Sequence, residues 1–165
     1  MTVLIGHRQR LLCLVSALLL LAACQQSDSS EPPTPVPEGT ESATVLYVFD
    51  GDTIEVDLEG TTERVRLIGI NSPEIGECWV DEARLVLMDL LPEGSEVAMT
   101  LDASDRDQYE RLLRYVWVGS MSVNEELVRQ GAALSRDYPP DTAMSERFDE
   151  AQDEARAEER GLWGC

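Results

Sequence analysis

From Thr44 onward, apolar and polar residues follow the two-residue period of strands. Thr44 to Asp50 alternates loosely and ends on Asp50-Gly51, a two-residue hairpin signal. Thr53 to Leu58 alternates cleanly, with Ile54, Val56 and Leu58 on one face and Thr53, Glu55 and Asp57 on the other. Glu59-Gly60-Thr61-Thr62 is a second turn, and Glu63 to Ile70 a third strand rich in β-branched and apolar residues. Three strands joined by short turns make a meander. The period then changes. Ala83, Val86, Leu87 and Leu90 recur at helical spacing within Val80 to Leu91. Asp81 and Glu82 stand near its start, where the helix dipole favours acid, and Pro92-Glu93-Gly94 stops it. Ser95 to Leu101 and Arg111 to Val118 read as two further strands, with Gly119-Ser120 turning. Ser122-Val123-Asn124-Glu125 has the spacing of a capping box and opens a short helix that ends at Gly131. Pro139-Pro140 breaks the chain before Asp141 or Thr142 caps a last helix, whose buried stripe is Met144, Phe148, Ala151 and Ala155. Leu127, Val128 and Leu134 belong to the core. Three strands, a helix, two strands and two helices predict an α+β domain with a small antiparallel sheet.

The residues before Thr44 lack this patterning. His7, Arg8 and Arg10 form a cationic start, followed by the apolar run Leu11 to Leu21. A bilayer span takes about 20 apolar residues, so this run fits a signal h-region better. It closes on Leu21-Ala22-Ala23-Cys24, which resembles the bacterial lipoprotein signal, with small residues ahead of a cysteine to be acylated. The alternative is an ordinary signal peptide that contains a cysteine. The organisation expected is a signal over residues 1–23, a tether over 24–43 beginning at lipidated Cys24, and a folded domain over 44–165. Ser, Pro, Glu and Thr dominate the tether, and Pro32 to Pro37 favours extended chain. A lipid anchor and loose spacer would hold the domain near the membrane, outside the cytoplasm, or the chain would be secreted. Durable attachment needs more than one acyl chain.

Cys13 should leave with the signal, so Cys78 and Cys165 remain for the folded part. In an oxidising compartment they would pair; two free thiols are the alternative. The formal charge is −19, and removal of Arg8 and Arg10 with the signal takes it to −21. The chain has no lysine. Such a surface repels polyanions unless a few arginines and a cation make one site locally positive. It also suits a high-salt habitat, where charge is screened within a few ångströms. His7 is the only histidine, which excludes histidine-based catalysis in the folded domain.

Four fragments carry candidate chemistry. They are Asp50-Gly51-Asp52-Thr53, Arg64 to Ile70 running into Asn71-Ser72-Pro73-Glu74, Asp107-Gln108-Tyr109-Glu110-Arg111, and Val123 to Gly131. Hard oxygen ligands, two arginines and one carboxylate are what hydrolysis of a phosphate diester requires. In this order the fragments resemble the staphylococcal nuclease (thermonuclease) family, over about Thr44 to Trp163. The resemblance implies a five-stranded OB-type β-barrel with three flanking helices, a fold that binds oligonucleotides on one face.

By that resemblance Asp52, Asn71 and Ser72 stand at the ligand positions of one calcium ion, with other divalent cations admissible. Ser72 would act through its carbonyl. Asn71 replaces an aspartate, so one formal charge is missing and weaker binding is expected. Glu74 aligns with the general base that accepts a proton from the attacking water. Arg66 and Arg111 would grip the scissile phosphate with forked donors. Glu110 stands where the family usually has glycine. If that position needs positive φ, glutamate costs about 1 kcal/mol or more and could re-aim Arg111. Tyr109 and Tyr138 are candidates to stack on bases, and Arg106 and Arg136 to touch flanking phosphates. Outside the resemblance, Asp52 reads as a turn aspartate, Glu74 as a solvated loop residue and the arginines as salt-bridge partners. The function expected is a surface-anchored, calcium-dependent nuclease that hydrolyses DNA, RNA or both by metal-assisted attack of water. The runner-up is a catalytically weak or inactive OB-fold nucleic-acid-binding module on the cell surface. No protein partner is expected, and the chain is read as a monomer.

Overall fold

Residues 39–165 are described by the computed structural model. The signal, Cys24 and most of the tether lie outside them. Eight strands and three α-helices follow in the order β1 (Glu41–Val48), β2 (Thr53–Leu58), β3 (Thr61–Leu67), β4 (Ile70–Asn71), α1 (Val80–Leu90), β5 (Glu96–Thr100), β6 (Leu112–Val118), β7 (Met121–Ser122), α2 (Val123–Arg129), β8 (Leu134–Ser135) and α3 (Ser145–Ala157). The main sheet runs β3-β2-β1-β5-β6-β7, and β3 also pairs with β6. That pairing is parallel, Val65 to Leu112 and Arg66 to Leu113, so the sheet is mixed rather than wholly antiparallel. A long connection through α1 and β5 separates the two strands, as parallel neighbours require. The result is a closed five-stranded barrel with three helices packed on it, the OB-type α+β architecture.

Alternation explains the inside of the barrel. Val45, Ile54, Val56, Val65, Leu67, Met99 and Val116 are all fully buried. The looser pattern of β1 has a cause: its register against β2 shifts between Val45 and Tyr47, so Leu46 and Tyr47 both face outward. β1 also starts earlier than expected. Glu41, Ser42 and Ala43, assigned to the tether, pair with Met99, Ala98 and Val97 of β5. Glu59 and Gly60 both take positive φ and make a two-residue hairpin between β2 and β3. At Asp50-Gly51 the connection is four residues long, and Gly51 is required by space: a Cβ there would lie 2.6 Å from Ser72 Cβ.

The third strand stops at Leu67, short of the expected Ile70. Gly69 turns the chain at φ 76°, and Ile70–Asn71 leaves the barrel to pair with Leu134–Ser135. Leu134 is therefore an exposed edge residue, not core, while Leu127 and Val128 are fully buried as expected. Asn124 on α2 fastens this turn: its Nδ2 donates to Ile68 O at 2.9 Å, and its Oδ1 accepts from Val116 N at 2.9 Å. Ser122 caps α2 by accepting from Glu125 N. α3 begins at Ser145 with Met144 at the cap position, not Asp141 or Thr142. The Asp141 carboxylate is occupied elsewhere, accepting from the amides of Ala103 and Ser104. Phe148, Ala151 and Ala155 bury the expected stripe, and Phe148 meets Tyr115 edge-on at 5.9 Å.

Cys78 and Cys165 are joined by a disulfide across a sequence separation of 87. It ties the segment between β4 and α1 to the last residue of the chain. Replacing both cysteines by serine is expected to cost ~3–5 kcal/mol of unfolding free energy in the chain-entropy account. Urea unfolding reads this directly; midpoints that coincide for both proteins would count against the crosslink.

Candidate active site

The β1–β2 connection, the β3–β4 turn, the start of α1 and the loop before β6 enclose one cleft of about 860 Å³. Asp52, Arg66, Asn71, Ser72, Glu74, Tyr109, Arg111 and Tyr138 all line it. Every catalytic, metal and stacking position read from the sequence thus meets in a single concavity.

Asp52 is nearly buried and organises one wall. Its Oδ2 accepts from Ser72 N at 2.8 Å and Ser72 Oγ at 2.9 Å, and pairs with Arg66 Nη2 at 3.2 Å. Its Oδ1 accepts from Thr53 Oγ1 at 3.1 Å. Arg66, an expensive residue to place among apolar neighbours, is satisfied locally. Its Nη1 donates to Leu67 O, and its Nη2 to Ile70 O at 2.8 Å and Asn71 Oδ1 at 3.4 Å. These backbone acceptors fix the guanidinium plane beside its Asp52 partner, and among the described residues its Nε–H makes no hydrogen bond.

Arg111 is aimed by a second carboxylate. Asp107 Oδ2 accepts from Arg111 Nε at 2.7 Å, while Oδ1 accepts from the amides of Tyr109 and Arg111. Partial burial pushes the Asp107 carboxyl up, but these hydrogen bonds and the arginine charge overcome it and hold it below the usual carboxylate range. Arg111 Nη1 reaches Thr53 Oγ1 at 3.5 Å, so Thr53 links Asp52 to Arg111. Glu110 does adopt positive φ, at 64°. Arg111 nevertheless faces the cleft, because Asp107 holds it from the other side of the turn.

Glu74 sits on an exposed turn where its amide donates to Glu77 Oε2 at 2.7 Å and its carbonyl accepts from Glu77 N at 2.9 Å. Among the described residues its own carboxylate accepts no hydrogen bond and is open to solvent. Tyr109 and Tyr138 are exposed at the rim, with Arg111 5.5 Å from the Tyr109 ring centroid. Arg106 is not free to touch phosphate: Glu63 takes both its Nη atoms, at 2.8 and 2.9 Å. Arg136 is exposed, contributes its amide to Gly69 O, and does not line the cleft.

Several contributors were not singled out from sequence. Thr53 lay in the Asp-Gly-Asp-Thr fragment but was read only as a strand residue. Asp107 stands four residues before Arg111, a spacing that could have flagged it. Arg84 enters the cleft from the polar side of α1, and a solvated helix face gives no sequence signal. Asp50, partly open to solvent, has its carboxyl pushed up by burial of its inner side and by the neighbouring charge of Asp52, against the lowering effect of the Asp52 amide.

Among the described residues no group of three or more His, Cys, Asp or Glu side chains could hold a metal ion. A cation here would rest on Asp50 and Asp52 with the neutral oxygens of Asn71 and Ser72. That all-oxygen set fits a hard ion that keeps waters. Asp52 Oδ1 retains acceptor capacity, and a positive charge beside Asp50 would offset the burial that raises its carboxyl.

A concavity that offers arginines to a phosphate and an open carboxylate to water, on the flank of an OB-type barrel, belongs to a phosphodiester hydrolase, a nuclease. Residues 64–165 match the family described as Staphylococcal nuclease homologue. The thermonuclease of Staphylococcus hyicus is 32% identical over 129 residues, covering 72% of this chain and 73% of that protein. The thermonuclease of Staphylococcus intermedius is 33% identical over 133 residues, covering 74% and 76%. The SPbeta prophage-derived endonuclease YokF of Bacillus subtilis (strain 168) is 34% identical over 128 residues, 73% of this chain but 43% of that protein. The chain belongs to the staphylococcal nuclease homologue family.

Glu110→Gly is expected to stabilise the fold by about 1 kcal/mol, because glycine adopts positive φ without a Cβ penalty. Denaturant unfolding checks it; a variant no more stable than the wild type would mean that this turn carries no strain.

Proposed function

We propose that this nuclease hydrolyses phosphodiester bonds of DNA, RNA or both with one calcium ion, using Glu74 as general base and Arg66 and Arg111 as phosphate clamps. The observation that carries the reading is the convergence of Asp52, Arg66, Glu74 and Arg111 on one cleft from separate segments of the chain. Asp52, Asn71 Oδ1 and the Ser72 carbonyl would hold the ion, with Asp50 beside them. Bound there, calcium supplies a charge that polarises a phosphoryl oxygen and acidifies water. Arg66, oriented by the carbonyls of Leu67 and Ile70, neutralises charge that develops on the phosphate. Arg111, held by Asp107, assists the departing oxygen. Glu74, whose carboxylate accepts no hydrogen bond among the described residues, takes the proton of the attacking water. No covalent intermediate is invoked, since the folded domain has no histidine to make a Ser–His or Cys–His pair, and the Ser72 hydroxyl is spent on Asp52.

One observation favours the binding-module reading: Asp52 Oδ2 already carries Ser72 and Arg66, which leaves a modest ligand set. A fluorogenic oligonucleotide assay separates the two. Cleavage should require calcium and stop with chelator; Glu74→Ser should lower the rate about 10²–10⁴-fold and Arg66→Ala about 10²–10³-fold. Undiminished cleavage in either variant refutes its assignment, and binding without cleavage in the wild type leaves the module.

We also propose that the domain is held outside the cytoplasm by acylation of Cys24. The support is the Leu21-Ala22-Ala23-Cys24 sequence and the Pro- and Ser-rich segment after it. Cys24→Ala should move the protein from membrane to supernatant on fractionation; an unchanged distribution argues against the anchor.

A further inference from the structure

Beside the cleft, two arginines lie against exposed aromatic rings. Tyr47 and Phe49, at the end of β1, meet edge-to-face at 5.0 Å. The Arg64 guanidinium is 4.2 Å from the Phe49 ring centroid, and that of Arg84 is 5.7 Å from Tyr47. The bulge in β1 turns Tyr47 outward, and the two rings remain 43% and 36% exposed. Exposed rings grouped with cations offer a ligand both stacking faces and charge.

The state of these two cations is unusual for this chain. Arg66, Arg106, Arg111, Arg114, Arg129 and Arg147 each pair with a carboxylate. Arg64 and Arg84, like Arg136 outside the cleft, form no salt bridge among the described residues, although the sequence carries 32 acidic residues. Arg84 is held instead by neutral groups: its Nε donates to the carbonyls of Val48 and Phe49, both at 3.1 Å, and its Nη2 to Tyr47 Oη at 3.3 Å. It is positioned without being neutralised.

The sheet register makes this ridge continuous with the site. Tyr47 stands opposite Glu55 and Glu55 opposite Arg64; Thr53 stands opposite Arg66. Arg64 and Arg66 therefore share a face of β3, about 6–7 Å apart along the strand. Phe49 and Arg84 themselves form part of the cleft wall. Glu55 on the same row, and Asp50 and Asp81 on the adjoining cleft wall, oppose an anion there, so the contact depends on the rings together with the two arginines.

We propose that Tyr47, Phe49, Arg64 and Arg84 form a second subsite of this enzyme, which holds single-stranded nucleic acid where it leaves the cleft. The inference rests on the nuclease reading above and adds a path for the strand. Unpaired bases stack on the rings, a contact indifferent to sequence, and the arginines meet the phosphates between them. A duplex keeps its base faces covered and gains little from exposed rings. OB-type surfaces track about 4–16 nucleotides, more than one clamped phosphate accounts for.

Full-length wild-type, Tyr47→Ala and Arg64→Ala proteins test this with a dinucleotide and a labelled single strand of about 16 nucleotides. Anisotropy with chelator present reads binding without cleavage; initial rates with calcium read turnover. Each substitution should weaken the long strand about tenfold and leave dinucleotide turnover unchanged. Arg64→Ala should also reduce the slope of log K against log salt by ~0.7. Equal losses on both substrates, no loss on either, or a duplex of the same length bound equally well would overturn the proposal. If Tyr47→Ala does not fold, Arg64→Ala carries the test, since its side chain is on the surface. A wild type that binds the strand through these residues yet cleaves nothing would refute the catalytic assignment and leave the subsite standing.

Discussion

Closure of the barrel depends on a short parallel pairing, Val65 to Leu112, Arg66 to Leu113 and Leu67 to Arg114. Those strands are far apart in sequence, and nothing local brings them together. Their meeting has a chemical consequence beyond removing a sheet edge. Arg66 and Arg111 come to neighbouring positions on one outer face, while Val65, Leu67 and Leu112 turn into the core. A one-residue slip would exchange these sets, burying guanidinium groups and exposing valine and leucine. The same hydrophobic pattern that stabilises the barrel therefore specifies the cleft.

Around that frame, two acidic side chains act mainly on backbone and on arginine. Asp52 holds the Ser72 amide and Arg66; Asp107 holds two loop amides and Arg111. Each pairs a cation, and carbonyls or a threonine hydroxyl take further donors of the same guanidinium group, which fixes its orientation at the cleft wall. A carboxylate that accepts backbone amides is a better positioning device than one that only meets a side chain, since its own place is fixed by the main chain. Glu74 differs in kind. It lies on an exposed turn, anchored through its backbone by Glu77 and, four residues on, by the crosslink at Cys78.

Where local chemistry decides, the sequence was legible. The cores of β2 and β3, the buried face of α1, the Ser122 cap and the stripe on α3 follow from spacing alone. Each depends on residues a few positions apart. The clustering of Asp52, Arg66, Glu74 and Arg111 was legible only through family resemblance, because residues from four segments cannot be placed together by periodicity. The misreadings share a cause. Leu134 looked like core because it is leucine, but a two-residue pairing with β4 holds it at an edge. Asp141 looked like a cap because it precedes a helix, but its carboxylate is drawn to two amides of a distant loop. Gly51 looked like a turn residue, and its real constraint is the proximity of Ser72. In each case a long-range contact overrides a sound local preference, and no window of neighbouring residues contains it.

The net charge poses the remaining physical question, since this chain must approach a polyanion with a formal −19, or −21 without its first arginines. Two ranges of interaction need to be kept apart. Beyond about 8 Å, physiological salt screens the summed charge of the surface. Within the cleft, phosphate meets guanidinium at contact distance, where intervening water is scarce and screening is weak. Repulsion is therefore felt mainly during approach, and attraction mainly after arrival. An acidic exterior then slows encounter more than it weakens the bound state, and added salt relieves the first faster than the second. Local arrangement matters more than total charge under those conditions. Arg66 and Arg111, oriented by neutral acceptors as well as by carboxylates, present guanidinium charge at contact distance inside a cleft that also carries Asp50, Asp52, Glu74, Asp81, Asp107 and Asp141.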